Sequence, residues 1–167
     1  MEREAAQPMG LVWARLQSLK MNRAVQEANL LLVHNKLPVK ERLFRIGLSG
    51  DPYCEFCDSA VIQDTLHYFT QCGRVQGFWI WVRSVIYQVI GAQADLILDS
   101  ELLSFSWTRC RWDREIVWLI SWFVWFIWRG CDQGSSRING RELFGFMRFK
   151  YKEARNWGLL SAITGLL

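Results

Sequence analysis

The chain has 167 residues, 51% of them hydrophobic and 22% charged, the composition of one globular domain rather than of a disordered or collagen-like chain. Twenty Lys and Arg against sixteen Asp and Glu leave a net charge of +4, too small to indicate a partner unless it is concentrated. It is concentrated: residues 1–50 carry +4, residues 51–72 carry −4, residues 73–134 are neutral and residues 135–167 carry +4.

Ten Trp and ten Phe call for a core built largely from aromatic side chains. The N-terminus has no apolar run behind a basic start, so no secretory signal is expected. The five Cys are an odd number, and three cluster near a His, which suggests metal ligands in a reducing intracellular compartment rather than a disulfide framework.

In chain order, Val12, Leu16 and Leu19, then Val25, Ala28, Leu31 and Leu32, recur at helical spacing, predicting one helix or two joined near Met21 and Asn22. Pro38 ends the pattern. A short helix is expected over Val39 to Ile46, with Leu43 and Ile46 inward and Lys40, Arg42 and Arg45 mostly outward, then a turn from Gly47 to Pro52. A longer helix is expected over 74–90, with Phe78, Trp81, Val82, Val85, Ile86 and Val89 as its apolar stripe and Gly91 as its stop. Residues 92–106 show no firm period and read as loop with one short helix.

Ile116 to Trp128 is uncharged throughout, yet falls short of the roughly 20 residues a bilayer span needs. It reads as a central Trp-rich core helix packed against the 78–89 helix, with membrane association disfavoured. Gly130 to Gly140 reads as a polar connection, and Arg141 to Leu160 as a helix with Arg148, Lys152 and Arg155 on one face; a strand over 148–152 is the alternative.

The chemistry concentrates in Cys54-x2-Cys57-x9-His67-x4-Cys72. Two Cys on a tight turn can face one ion, and a His and a Cys from a second element close the tetrahedron. Four protein ligands leave no open position, so one structural Zn is expected here, not a catalytic one. Three buried thiols and a core His form the alternative. Asp64 or Thr65 is placed to cap the turn that presents His67, and Gly73 to allow a left-handed exit after Cys72. His34 suits a helix end, and Cys110 and Cys131 lack partners at metal spacing. Asp51, Glu55, Asp58 and Asp64 follow no Ca loop and read as solvated acidic surface. No phosphate-binding loop, nucleophile elbow or metalloprotease motif occurs, so the chain is expected to be non-catalytic, with no small-molecule substrate.

Residues 35–48 (NKLPVKERLFRIGL), 51–57 (DPYCEFC) and 67–72 (HYFTQC), with Trp79 behind them, resemble the zinc-binding region at the C-terminal end of LINE-type (non-LTR) retrotransposon reverse transcriptases. The resemblance covers about residues 24–82. The Trp-rich stretch from Trp125 to Arg129 is also similar, though less specific. Nine residues separate Cys57 from His67, against four in retroviral knuckles. The resemblance implies an accessory segment of a truncated or domesticated copy, holding template RNA or target DNA, with reverse transcriptase domains as partners in cis or in trans.

The expected architecture is mainly α: an N-terminal helical segment (1–50), a CCHC zinc knuckle (51–73) and a Trp-rich helical segment (74–167), together one compact domain. The acidic knuckle suits phosphate poorly, so nucleic-acid contacts are expected from the flanks, at Lys40, Arg42 and Arg45 and at Arg148, Lys150, Lys152 and Arg155, with Phe149 or Tyr151 stacking. A solvated helix face is the alternative for these charges. For the whole chain, a scaffold that docks through its Trp-rich helix is the alternative.

Overall fold

The computed structural model describes residues 9–17, 19, 21–107 and 113–132, with all their side chains except those of Met9, Val89, Asp113, Cys131 and Asp132. The expected helix from Arg141 and the expected nucleic-acid contacts Arg148, Phe149, Lys150, Tyr151, Lys152 and Arg155 lie outside them, as does Cys110. The described chain is mainly helical. Its only extended pairing is an isolated antiparallel bridge between Tyr53 and Ile62.

The N-terminal apolar pattern is two helices, α1 (Met9–Gln17) and α2 (Arg23–Val33). They separate where Asn22 turns extended and its side chain accepts a hydrogen bond from the Val25 N–H, an N-cap that starts α2. Val12, Leu16, Leu19, Val25, Ala28 and Leu32 are buried as the periodicity requires, but Leu31 sits on the outer edge of the stripe and is exposed. His34 caps the C-terminus of α2, and Asn35 takes the left-handed conformation (φ 50°) that lets the Lys36 N–H reach the Leu31 carbonyl.

Pro38 is exposed between two fully buried neighbours, Leu37 and Val39. Helix α3 (Lys40–Arg45) follows and buries none of its residues. The expected inward placement of Ile46 is therefore corrected: Ile46 is exposed and Leu43 only half-buried. A six-residue helix gives too little length for an apolar stripe, and the buried anchors sit in front of it, at Leu37 and Val39. Gly47 (φ 76°) ends α3 in the left-handed conformation, with Leu48 N–H bonded to the Leu43 carbonyl.

After the knuckle, α4 (Gln76–Ile90) buries Trp79, Val82, Val85 and Ile86, with Phe78 and Trp81 half-buried beside them. Gly91 (φ 63°) stops it as expected. The stretch read as loop with one short helix holds that helix as α5 (Asp99–Ser104), preceded by a 3-10 turn (Gly91–Leu96). Arg83 of α4 holds this return in place, donating to the carbonyls of Ile97 (3.0 Å) and Ala94 (2.8 Å) and facing Asp99. Such cross-links carry no periodic sequence signal.

The Trp-rich run lies inside α6 (Asp113–Asp132), with Ile116, Val117, Ile120, Phe123, Val124 and Ile127 at the centre of the core. Its main partner is α2 rather than the expected α4, which it touches through Trp79 and Phe123 (ring centroids 5.2 Å apart). At the α2 seam the buried Asn29 amide donates to the carbonyls of Val25 and Ser121. Arg15 of α1 reaches the same core: it donates to the Phe105 carbonyl (2.6 Å) and lies over Trp107 (4.4 Å). No described helix is long and apolar enough to cross a membrane.

Candidate metal centre

Three short pieces of chain converge on one point. The first is the turn carrying Cys54 and Cys57, entered through an Asp51 side chain that accepts from the Tyr53 N–H. It is closed by paired backbone contacts, Cys54 N–H to the Val61 carbonyl (2.8 Å) and Gln63 N–H to the Pro52 carbonyl (2.9 Å), around the Tyr53–Ile62 bridge. The second is the turn that begins at Asp64, whose carboxylate accepts the His67 N–H at 2.7 Å as an N-cap.

The third is the exit at Cys72. Residues five apart diverge on an α-helix, so His67 and Cys72 require a change of pitch to share an ion. The chain makes it with a π-helical turn over His67–Gln71, closed by a hydrogen bond from the Cys72 N–H to the His67 carbonyl (2.8 Å). This i to i+5 closure stacks position 72 over position 67. Cys72 then leaves in an extended conformation (φ −61°, ψ 131°), and its carbonyl accepts the N–H groups of Val75 and Gln76. The left-handed exit expected at Gly73 is thereby corrected: positive-φ glycines among the described residues are Gly47 and Gly91, because the π turn has already brought Cys72 round.

Cys54, Cys57, His67 and Cys72 place their ligand atoms within 4.8 Å of one another. Corners of a tetrahedron about 2.3 Å (S) and 2.0 Å (N) from its centre lie about 3.8 Å apart for two sulfurs and about 3.5 Å for sulfur and nitrogen. The Sγ atoms of Cys54 and Cys72 are 3.8 Å apart, those of Cys57 and Cys72 3.9 Å, and Cys57 Sγ lies 3.4 Å from His67 Nε2. The donor set fits one zinc ion. Cys54, His67 and Cys72 are buried and Cys57 half-buried, so a bound ion is shielded.

The protonation pattern points the same way. Burial pushes the Cys72 thiol up to about 12. Burial also raises Cys54, but hydrogen bonds from the Gln63 side chain, the Phe56 N–H and the neighbouring Cys outweigh it, and the net shift is downward. Cys54 is thus shifted toward its thiolate form while Cys72 is shifted away from it, and a cation is needed to hold several thiolates in one small volume. Burial lowers His67, with Asp64 pulling the other way, which favours the neutral imidazole a metal requires.

Around the ligands sits a support that sequence reasoning did not single out. Gln63, buried, donates from Nε2 to Cys54 Sγ (3.5 Å), accepts the Lys40 N–H at Oε1 and accepts the Glu41 N–H at its carbonyl, joining the site to α3. Gln63 carries no motif signal. Arg74, two residues past Cys72, lies over the Phe56 ring at 4.0 Å and over Tyr68 at 5.4 Å.

Of the residues expected to grip phosphate, Lys40 pairs with Glu55 at 2.5 Å, Arg45 with Glu41 at 2.8 Å, and Arg42 donates to the Asn35 carbonyl at 2.8 Å. The structure brings the first of these to the edge of the knuckle, where it offsets part of the acidic surface. Glu55 and Asp64 thus have internal partners rather than standing only in solvent.

Comparison with known proteins agrees with this centre. Residues 1–79 match a family model described as zinc-binding in reverse transcriptase, a segment that contains all four ligands. No curated protein and no solved structure matches the chain. The N-terminal half of the chain therefore carries a zinc-binding region of the kind associated with reverse transcriptases.

Proposed function

We propose that the chain is a zinc-stabilised, non-catalytic accessory module that binds RNA or DNA, of the kind found at the C-terminal end of LINE-type reverse transcriptases. The observation that carries this reading is the coincidence of the match over residues 1–79 with a four-ligand centre inside it. A closed Cys3His sphere organises the chain and leaves no position for a substrate, so the centre supplies folding energy and not Lewis-acid chemistry. The alternative, docking of the Trp-rich helix on polymerase domains, is disfavoured because Trp118 and Trp122 are buried in the chain's own core.

Binding to single-stranded nucleic acid, measured by anisotropy at several salt concentrations, tests the reading. Four to six neutralised phosphates give a slope of log affinity on log salt of about −3 to −4. Changing Arg148, Lys150, Lys152 and Arg155 together to Gln should flatten it. Absence of binding at low salt would refute the nucleic-acid role.

A further inference from the structure

Helix α3 buries none of its residues, so its apolar side chains remain in contact with water. Six of the eleven exposed large apolar side chains among the described residues lie between positions 44 and 62, which makes this the densest such surface. Phe56 has one face on Arg74; the other five, Phe44, Ile46, Leu48, Tyr53 and Ile62, are 45–73% exposed.

These five share one side of the knuckle. Tyr53 and Ile62 oppose each other in the antiparallel bridge, and the alternation of an extended pair sends them outward while Cys54 and Gln63, the next residue in each, are buried. Lys40, at the start of α3, pairs with Glu55 just beyond Tyr53, and its N–H donates to the side chain of Gln63, next to Ile62. Phe44 stands one turn after Lys40 on the same face of α3. Ile46 and Leu48 continue round the helix end, where the Leu48 N–H is bonded to the Leu43 carbonyl.

The charges around this surface nearly cancel: residues 36–64 carry four cations against five acids. Such a balance gives phosphate no grip, and three of the five side chains are aliphatic, with no ring for a base to stack on. An occupant has to be apolar at its centre with both signs of charge at its rim, and a second copy of the same surface meets both conditions. Turned about a two-fold axis, the cations of α3 in each copy face the acids of the other copy's knuckle turn. Five side chains of this size, each about half exposed, leave on the order of 500 Å² of apolar surface per copy. Two copies then bury roughly 1,000 Å², the lower bound for a specific interface, so the association is weak.

We infer that Phe44, Ile46, Leu48, Tyr53 and Ile62 form an isologous interface through which two copies of this chain pair, half associated at about 10–100 µM. This inference does not depend on nucleic-acid binding.

Sedimentation velocity of the zinc-loaded full chain without nucleic acid, from about 1 to about 200 µM, tests it. The expected record moves from monomer to dimer and stops there, because an isologous pair closes on itself. Phe44→Glu and Leu48→Glu, each placing a carboxylate in the apolar centre, should raise the dissociation constant at least about tenfold. Leu96→Glu, at a leucine 81% exposed and outside the surface, should leave it unchanged. Zinc content and far-ultraviolet circular dichroism show whether each variant is folded; if Phe44→Glu is not, Leu48→Glu, at the most exposed of the five, decides alone. A chain that stays monomeric at the highest concentration overturns the inference. So does association that continues past the dimer, and so does a dimer that both substitutions leave intact. Each of these results leaves the nucleic-acid reading to its own test.

Discussion

Asp64 offers a way to separate geometry from charge at the zinc centre. Its carboxylate caps the turn that presents His67, accepting that residue's N–H at 2.7 Å, and the same charge opposes the effect of burial on the His67 ring. Removing a cap of this kind costs about 1 kcal/mol. Because the ligands must be ordered before they converge on an ion, that cost appears in the zinc affinity, and 1 kcal/mol corresponds to about a fivefold loss. Asp64→Ala should therefore bind zinc about fivefold more weakly, whereas Asp64→Asn, which keeps an accepting oxygen, should stay within about twofold of the parent. Competition with a chromogenic chelator at fixed pH reads both. Equal losses in the two variants would show that charge, not capping, carries the effect; no loss in Asp64→Ala would refute the claim that the cap positions His67.

Gln63→Leu keeps the side-chain volume but removes the donor to Cys54 and the acceptor for the Lys40 N–H, and should weaken zinc binding at least about tenfold in the same competition. An unchanged affinity would mean that Gln63 merely fills space. Phe69, fully buried inside the π turn, should cost about 3–5 kcal/mol as Phe69→Ala, read by chemical denaturation of the zinc-loaded chain, and a loss below about 1 kcal/mol would contradict its place in the core. Acidification should destabilise the centre. His67 is depressed in the folded chain relative to the ordinary imidazole value of 6.5, so between those values the unfolded chain binds more protons and stability rises with pH. The His67 contribution is complete above 6.5 and lost as pH falls below it; zinc, which needs the neutral ring, adds in the same direction, and stability that stays flat from about pH 7 to pH 5 would contradict this. Cys72, raised to about 12, is protonated at neutral pH without metal, so calorimetry in buffers of different ionisation enthalpy should detect proton release on zinc binding, and none would contradict the ligand assignment.

The ligands were legible because their spacing is local: four donors within nineteen residues admit few arrangements. The helices at α1, α2, α4 and α6 were legible because an apolar stripe has a period. The π turn was not, since one extra residue per turn leaves no mark in a five-residue stretch; only the need for His67 and Cys72 to share an ion signals it. Leu31 and Ile46 were misplaced for a related reason: periodicity assigns a face, but the width of that face depends on what packs against it. The polar link across the α2–α6 seam comes from Asn29, whose amide donates to the Ser121 backbone carbonyl and which a hydrophobic pattern passes over. Arg15 was missed in the same way. It serves the core by donating to Phe105, which takes a left-handed conformation (φ 55°) that sequence would reserve for Gly.

The account stands on zinc held by three sulfurs and one nitrogen. Zinc K-edge absorption of the purified chain, with the metal-to-protein ratio measured on the same sample, reads the ligand number and type together. One zinc per chain is predicted, with three sulfurs at about 2.3 Å and one nitrogen at about 2.0 Å, reduced to two sulfurs in Cys72→Ser. A chain folded without bound zinc, or a parent centre with fewer than three sulfurs, would contradict it.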